Sequence, residues 1–102
     1  MTSQVWKYPL QQDASGAYAI DMPDGAMVLT LQLQDELPTM WAAVNPDNPK
    51  RKRRFIVAGT GWSLPNEPMD YIGTWQLDAM VWHVFELTGY VTPSDWKPKH
   101  AG

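Results

Sequence analysis

Residues 26–34 read AMVLTLQLQ, and this stretch decides the fold because polar side chains occur only at alternate positions. One set of alternate positions is wholly apolar: Met27, Leu29, Leu31 and Leu33. The other set is mostly polar: Val28, Thr30, Gln32 and Gln34. Successive side chains of a β-strand point to opposite faces. The period of two therefore predicts a strand with the first set facing a core and the second set facing water.

Six further strands are predicted on either side of this one. Nine prolines and seven glycines punctuate the 102 residues at short intervals, which is typical of short strands joined by turns. The six lie at residues 5–10, 17–21, 39–44, 52–59, 71–77 and 80–87, and no stretch gives a convincing helix. We therefore expect an all-β fold of about seven strands, either a small antiparallel β-sandwich or a partly open barrel.

Length and composition indicate one globular domain. Apolar residues make up 44% of the chain and charged residues 19%, an ordinary globular balance. We assign residues 1–91 to a single β-domain and the polar, proline-rich residues 92–102 to a flexible tail. Without cysteine, the chain has no disulfide and no cysteine nucleophile. Its apolar runs are far shorter than the ~20 residues that cross a bilayer, and its first residues lack a signal-peptide pattern. We expect a soluble, intracellular protein with no membrane partner.

The net charge of −3 hides an uneven distribution. Five of the eight basic residues form one run, Lys50–Arg54 (KRKRR). The remainder holds three basic residues against eleven acidic ones, a net charge of −8. A general nucleic-acid binder would spread basic residues along a face, so we exclude that class. The run is either a solvated loop that keeps a hairpin edge from pairing with other sheets, or a clamp for a phosphate, a nucleotide or an acidic partner.

Residue types for catalysis and metal binding are scarce. The chain has two histidines, His83 and His100, and a zinc site needs three or four ligands. None of the four serines lies in a nucleophile-elbow pattern. The paired carboxylates lie in turns, where aspartate is expected for backbone reasons. We therefore expect no catalytic residue, no metal and no cofactor, and we do not expect an enzyme.

The candidate binding residues lie around the Gly59-Thr60-Gly61 turn. Trp62 would offer a ring face for stacking, the arginines an anion contact, and His83 a ring donor near Thr60 or Arg54. The alternative is structural: the strand tryptophans pack, and His83 bonds a backbone or hydroxyl group. The strand tryptophans in question are Trp41, Trp75 and Trp82. The ligand-binding candidates are Arg51, Arg53, Arg54, Thr60, Gly61, Trp62 and His83.

Several strings resemble a family of small uncharacterised proteins encoded by tailed phages and prophages. The strings are KYPL (7–10), MPDGAMVLTLQLQ (22–34), PTMWAAVNPD (38–47), RRFIVAGTG (53–61) and YIGTWQLDAMVWHVFEL (71–87). They match a shared pattern of a Lys-Tyr-Pro start, a Trp-Ala-x-Val-x-Pro segment, a Gly-Thr-Gly turn, a Tyr-Ile-Gly-Thr step and a Trp-His-Val-Phe-Glu close. The string PKRKRR and the residues after Leu87 are peculiar to this chain.

The resemblance implies a phage accessory protein that acts by binding in the cytoplasm of a bacterial host. It leaves three hypotheses open. The first is counter-defence, by sequestering a nucleotide-type immune signal or by blocking a host protein. The second is a structural or assembly module of the phage particle, and the third is a small nucleotide-acting enzyme. The expected partners are a small anionic ligand or a host protein, and a second copy of the chain, since an edge strand can pair with its equivalent.

Overall fold

The computed structural model describes residues 3–14 and 16–89, so the predicted tail at 92–102 lies outside the described residues. The strands are β1 (Gln4–Pro9), β2 (Tyr18–Pro23), β3 (Met27–Gln34), β4 (Leu37–Val44), β5 (Lys50–Gly59), β6 (Met69–Leu77) and β7 (Met80–Leu87). They form two antiparallel sheets in the orders β1-β4-β3 and β2-β5-β7-β6, with no helix in the described ranges. The sheets do not close into a barrel, so the all-β prediction is confirmed as a sandwich.

Alternate residues from both sheets fill the space between them. Met22, Met40, Ala42 and Val84 are fully buried at the centre of this core. Around them lie other buried apolar side chains: Leu10, Leu31, Val44, Phe55 and Trp75. Phe55 and Trp75 are the aromatic members of this buried cluster, and a chain of this length needs such large buried side chains for stability.

The strand tryptophans do not all pack inside. Trp75 and Trp82 stack at a ring-centroid distance of 6.4 Å and contribute to the core. Trp41 is half-buried and lies outside the core cluster. It alternates with the buried Met40 and Ala42 along β4, so it lies on the outer face of the three-stranded sheet.

A β-bulge breaks the alternation in β3, so the predicted inward set is wrong in its first half. Val28 pairs with Ala42, but the next paired residue is Thr30, opposite Trp41, which leaves Leu29 as an extra residue. Met27 and Leu29 are consequently 64% and 52% exposed. Val28 packs against the core in their place, and the predicted inward positions Leu31 and Leu33 hold only after the bulge. The alternation of apolar and polar residues in a sequence does not reveal where a bulge adds an extra residue. One such residue moves every side chain before it to the opposite face of the strand.

Edge strand β6 packs closely on edge strand β3. A Cβ atom at Gly73 would lie 2.9 Å from the Cβ of Leu31, which is closer than van der Waals contact allows. Gly73 follows a second irregularity, in the pairing of β6 with β7 after Tyr71. Glycine at this position therefore lets the two sheets approach along one side of the sandwich.

An ion pair lies between the sheets. The guanidinium of Arg53 on β5 donates from Nε and Nη2 to the two carboxylate oxygens of Glu86 on β7, at 2.6 and 2.7 Å. Its Nη1 donates to the carbonyl of Ala26, directly before β3 in the other sheet. The two charged side chains are only 19% and 14% exposed. The hydrogen bonds that Arg53 donates to Glu86 raise the pKa of Arg53, and burial opposes this shift. Because the guanidinium also donates to Ala26, one charged side chain joins both sheets.

The hydroxyl of Tyr8 is buried without a hydrogen-bond partner among the described residues. Burial raises the pKa of Tyr8 above its usual value of 10.0, and the positive charge of Arg53 opposes this shift. A buried hydroxyl without a partner costs about 1–3 kcal/mol relative to a satisfied one. The unpaired hydroxyl of Tyr8 therefore lowers the free energy of unfolding.

Removing one member of the Arg53–Glu86 pair should destabilise the fold more than replacing both. Glu86→Ala leaves a buried guanidinium without its counter-charge, so we expect a loss of about 3–5 kcal/mol in the free energy of unfolding. The double variant Arg53→Met with Glu86→Leu should recover most of this loss. Urea denaturation measures both effects. Lys52→Ala is the control, since its pair with Asp21 at 3.3 Å is exposed and should contribute little; equal losses in Glu86→Ala and Lys52→Ala would contradict the account.

Tyr8→Phe should be at least as stable as the natural protein near neutral pH, because it removes an unpaired buried hydroxyl. The two proteins should diverge further in alkali. The unfolded tyrosine loses its proton near pH 10, whereas the folded state retains it, so the natural protein loses stability as the pH rises through this range. Free energies of unfolding at about pH 8 and about pH 11 should fall less for Tyr8→Phe. Parallel falls would contradict the raised pKa of Tyr8.

Candidate functional site

The predicted binding residues lie on both faces of the four-stranded sheet. Along β5, Arg53 shares the inner face with the buried Phe55, and Arg54 lies on the outer face. Trp62 packs edge-on against Trp82 at a ring-centroid distance of 5.3 Å. Its indole also lies over Gly59, where a Cβ atom would be 3.1 Å from the ring. Gly61, with φ of 91°, shapes this turn.

Trp62 and Arg54 are therefore on opposite sides of the sheet. Gly59 is paired with Trp82, and both belong to the inner face, so Trp62 covers one end of the core although it is 57% exposed. His83 is paired with Ala58 and faces outward. The arrangement separates the proposed stacking ring from the proposed anion contact.

The basic run is part of β5, and most of it is engaged in ion pairs. Besides the buried pair of Arg53, Lys52 lies 3.3 Å from Asp21, and Arg51 lies 3.8 Å from Asp24. Arg54 has neither an ion pair nor a hydrogen bond with the described part of the chain, and it is exposed. Within the described part of the chain, three of the five basic residues of the run are therefore in ion pairs, and Arg54 is the unpaired one closest in register to His83.

A chain of hydrogen bonds crosses the outer face. The Tyr71 hydroxyl lies 2.6 Å from Oγ1 of Thr74, and this oxygen lies 3.0 Å from Nδ1 of His83. Nε2 of His83 lies 2.8 Å from Oγ1 of Thr60, which donates to the carbonyl of Val81 at 3.3 Å. His83 is thus held by hydroxyl groups on both ring nitrogens.

The sequence placed His83 near Thr60 but missed Thr74 and Tyr71. A signal for Thr74 was present, because counting outward from the two-residue turn at 78–79 places it opposite His83. Tyr71 could not be found in this way, because the irregularity before Gly73 shifts the register.

The carbonyl of Val81 sets the direction of the whole chain, because a carbonyl oxygen only accepts. Thr60 therefore uses its hydrogen on Val81 and accepts from Nε2–H of His83. Nδ1 of the neutral ring then accepts from Thr74, whose oxygen accepts from the Tyr71 hydroxyl. From this direction we expect the ring proton of His83 to lie on Nε2 and the lone pairs of the Tyr71 oxygen to be available to an external donor.

An apolar strip separates this chain from Arg54. Ile56 and Phe85 are paired across β5 and β7, and Phe85 contacts the ring of Tyr71 edge-on at 5.7 Å. Arg54 and Leu87 form the pair at the end of the strip. An open groove of about 320 Å³ begins here, lined by Gln12, Gly16, Ala17, Tyr18, Arg54, Phe55, Ile56, Val57 and Leu87. The site is an exposed sheet face with a shallow groove at its margin.

The fold and this face define a small β-sandwich domain with one outer face that is part polar and part apolar. A family model described as a domain of unknown function, DUF7352, matches residues 1–92, and the chain belongs to this family. Comparison with curated proteins and with solved structures found no match. In the described ranges, no three histidine, cysteine or carboxylate residues cluster as a metal site would require. Those ranges also contain no helix with the length and apolar character to span a membrane.

The tautomer of His83 is directly measurable. We expect long-range ¹H–¹⁵N correlation spectra to place the proton of the singly protonated His83 ring on Nε2, because Val81 orients the chain. Thr60→Val removes both the acceptor of Nε2–H and the link to Val81, so it should change this pattern. Tyr71→Phe alters only the far end and should leave it intact, and His100→Gln identifies the second histidine signal. A proton on Nδ1 in the natural protein would contradict the assigned direction.

Proposed function

We propose that this protein acts by binding a protein partner through the outer face of its four-stranded sheet. The observation that carries the proposal is the alignment along one exposed face of Arg54, which has no ion pair with the described residues, an apolar strip and a hydrogen-bonded chain. We name this surface the recognition face: Arg54, Ile56, Thr60, Tyr71, Thr74, His83 and Phe85. Arginine and aromatic side chains are enriched in protein interfaces, where apolar area supplies affinity and polar groups supply specificity.

The same geometry favours a protein over a small nucleotide. Small ligands are usually enclosed in concave pockets that bury most of their surface. Here the groove is shallow, and the sheet separates Trp62 and Arg53 from Arg54 and His83. The groups that would hold a base and a phosphate together are on opposite faces. A broad partner surface needs no such enclosure.

The biological setting that we propose follows from the phage resemblance. We place the protein in the cytoplasm of a bacterial host, as a phage accessory protein that blocks a host protein in counter-defence. What supports this setting is the resemblance of the motifs from Lys7 to Glu86 to those of tailed-phage and prophage proteins.

A second candidate is a structural or assembly module of the phage particle. It is favoured by a second exposed apolar group on the three-stranded sheet, where Val5, Met27 and Leu29 are each more than half exposed. Apolar area of this kind often marks a contact surface, and an assembly module needs contacts on two sides. Contact between two copies through this face would be a different mode from the edge-strand pairing expected from the sequence, and light scattering of the natural protein against Met27→Ser with Leu29→Ser would test it.

The recognition face is tested by comparing the proteins captured by matched variants. The natural protein, Arg54→Glu and His83→Ala are each used to capture partners from phage-infected cells, and the partner found is purified and titrated. We expect both variants to weaken binding about tenfold or more, which corresponds to at least ~1.4 kcal/mol.

Arg51→Glu is the control, because it makes the same charge change on β5 at a residue already placed beside Asp24. It should bind within about twofold of the natural protein. Circular dichroism confirms that each variant is folded. Unchanged binding by both Arg54→Glu and His83→Ala would refute the recognition face. Capture of a nucleotide in place of a protein would refute the proposed partner class.

A further inference from the structure

The groove at the margin of the recognition face has a wall made by the last residue of β7. Leu87 lines it beside Arg54, and the two residues are paired across β5 and β7. Tyr18 and Ile56 line it as well. Its volume of about 320 Å³ lies at the lower end of the ~300–1,000 Å³ that is typical of small-molecule pockets. The groove therefore has room for one large side chain.

The lining of the groove combines apolar surface with one cation. Tyr18, Ile56 and Leu87 are each partly exposed, and apolar side chains gain free energy when they leave water. Arg54 is exposed, and within the described ranges no ion pair or hydrogen bond joins it to another residue. A group that suits this groove therefore has an apolar side chain next to a carboxylate.

The described chain leads directly to this groove. The N–H of Thr88 donates to the carbonyl of Pro68 at 3.0 Å, and the described residues end at Gly89, two residues after Leu87. Adjacent strands of a sheet are ~4.8 Å apart, and an extended chain spans ~3.3–3.6 Å per residue. The six residues that follow Gly89 are therefore long enough to reach back across β7 to Arg54.

The sequence after Gly89 contains the two groups that the groove suits. Residues 90–102 read YVTPSDWKPKHAG, and we call them the C-terminal segment. Their one acidic residue, Asp95, comes directly before their one tryptophan, Trp96. A guanidinium forms a bidentate pair with a carboxylate and also attracts the face of an indole. Asp95 and Trp96 therefore complement Arg54 and the apolar wall beside it.

Tethering favours this segment over a separate molecule as the occupant of the groove. One aromatic side chain and one ion pair are a small contact for two separate proteins, whose stable interfaces usually bury ~1,200–2,000 Å². Within one chain the same contact costs no translational freedom. A short linker also raises the effective concentration of the attached group to the millimolar range.

We propose that the C-terminal segment of the same chain docks in this groove, with the Trp96 indole on the apolar wall and the Asp95 carboxylate on Arg54, and that it competes there with the protein partner. This inference rests on the proposed function, because Arg54 and Ile56 belong to the recognition face. Since partner and segment use the same guanidinium, only molecules with a released segment bind the partner. The apparent affinity is then lower than the intrinsic affinity by the released fraction. The segment thereby excludes weakly binding proteins from the recognition face.

The docking is tested in the full chain with a single nitroxide label. The natural sequence has no cysteine, so Ser94→Cys creates one attachment site. In the ¹⁵N-labelled protein we expect the nitroxide to broaden the backbone amide signals of Ala17 and Ile56. Adding Trp96→Ala should reduce this broadening about twofold or more, because the docked fraction falls. Lys99→Ala is the matched control in the same segment and should leave the broadening unchanged.

The contact of Asp95 with Arg54 is tested by exchanging the two charges. In the labelled protein, Arg54→Asp and Asp95→Arg should each reduce the broadening of Ile56 about twofold or more. The double variant should restore the broadening, since it rebuilds the ion pair in reverse. Circular dichroism shows whether each variant is folded. Additive reductions in the double variant would overturn the assigned contact.

A mixture of two proteins identifies which chain supplies the segment. The ¹⁵N-labelled natural protein is mixed with unlabelled protein that carries the nitroxide. We expect no broadening at Ala17 and Ile56, because each segment occupies the groove of its own chain. Broadening in the mixture would identify the segment of a second copy as the occupant and would overturn docking within one chain.

The competition is measured with the captured partner. Trp96→Ala should bind it at least about threefold more tightly than the natural protein does, whereas Lys99→Ala should bind it equally well. Broadening that does not depend on Trp96 would overturn the docking, and unchanged partner affinity in Trp96→Ala would overturn the competition. Neither result alters the losses of binding expected for Arg54→Glu and His83→Ala. Failure of this inference is therefore distinguishable from failure of the recognition face.

Discussion

The buried contact of Arg53 with Glu86 constrains the rest of this sandwich. Two charges held between sheets are tolerable only if each is fully paired, and here the guanidinium is satisfied by a carboxylate on β7 and a carbonyl beside β3. The contact thereby fixes β5 against β7. A slip of β5 by one residue against β7 would exchange the faces of Arg53 and Arg54. The interior pair thus determines which arginine remains free outside and what lies beside it.

Strand positions and turns were predictable because they depend on local chemistry. Alternation identified seven strands to within about two residues, and proline, glycine and aspartate marked the turns between them. Alternation also separates Arg53 from Arg54, which β5 places on opposite faces. The candidate binding site predicted from the sequence nevertheless included both arginines, because they are neighbours in the chain. In a strand, adjacent residues are the ones least able to act together.

The remaining features depend on interactions between distant strands. The bulge at Leu29 is set by how β3 fits β4, and it exposes two residues that alternation placed in the core. Trp41 is apolar and lies in a strand, yet its face follows from its buried neighbours Met40 and Ala42. The contact of Tyr71 with Thr74 likewise depends on irregular pairing in β6. Such insertions change register without leaving a mark in composition.

Each hydroxyl in the chain across the outer face can rotate, whereas the carbonyl of Val81 can only receive. If the ring of His83 gained a second proton, both nitrogens would donate, and Thr74 would have to turn its hydrogen toward Tyr71. The Tyr71 hydroxyl would then donate a hydrogen bond to the solvent instead of accepting one. One proton taken up at the imidazole would thus be felt at Tyr71, two hydrogen bonds away, as a change from acceptor to donor.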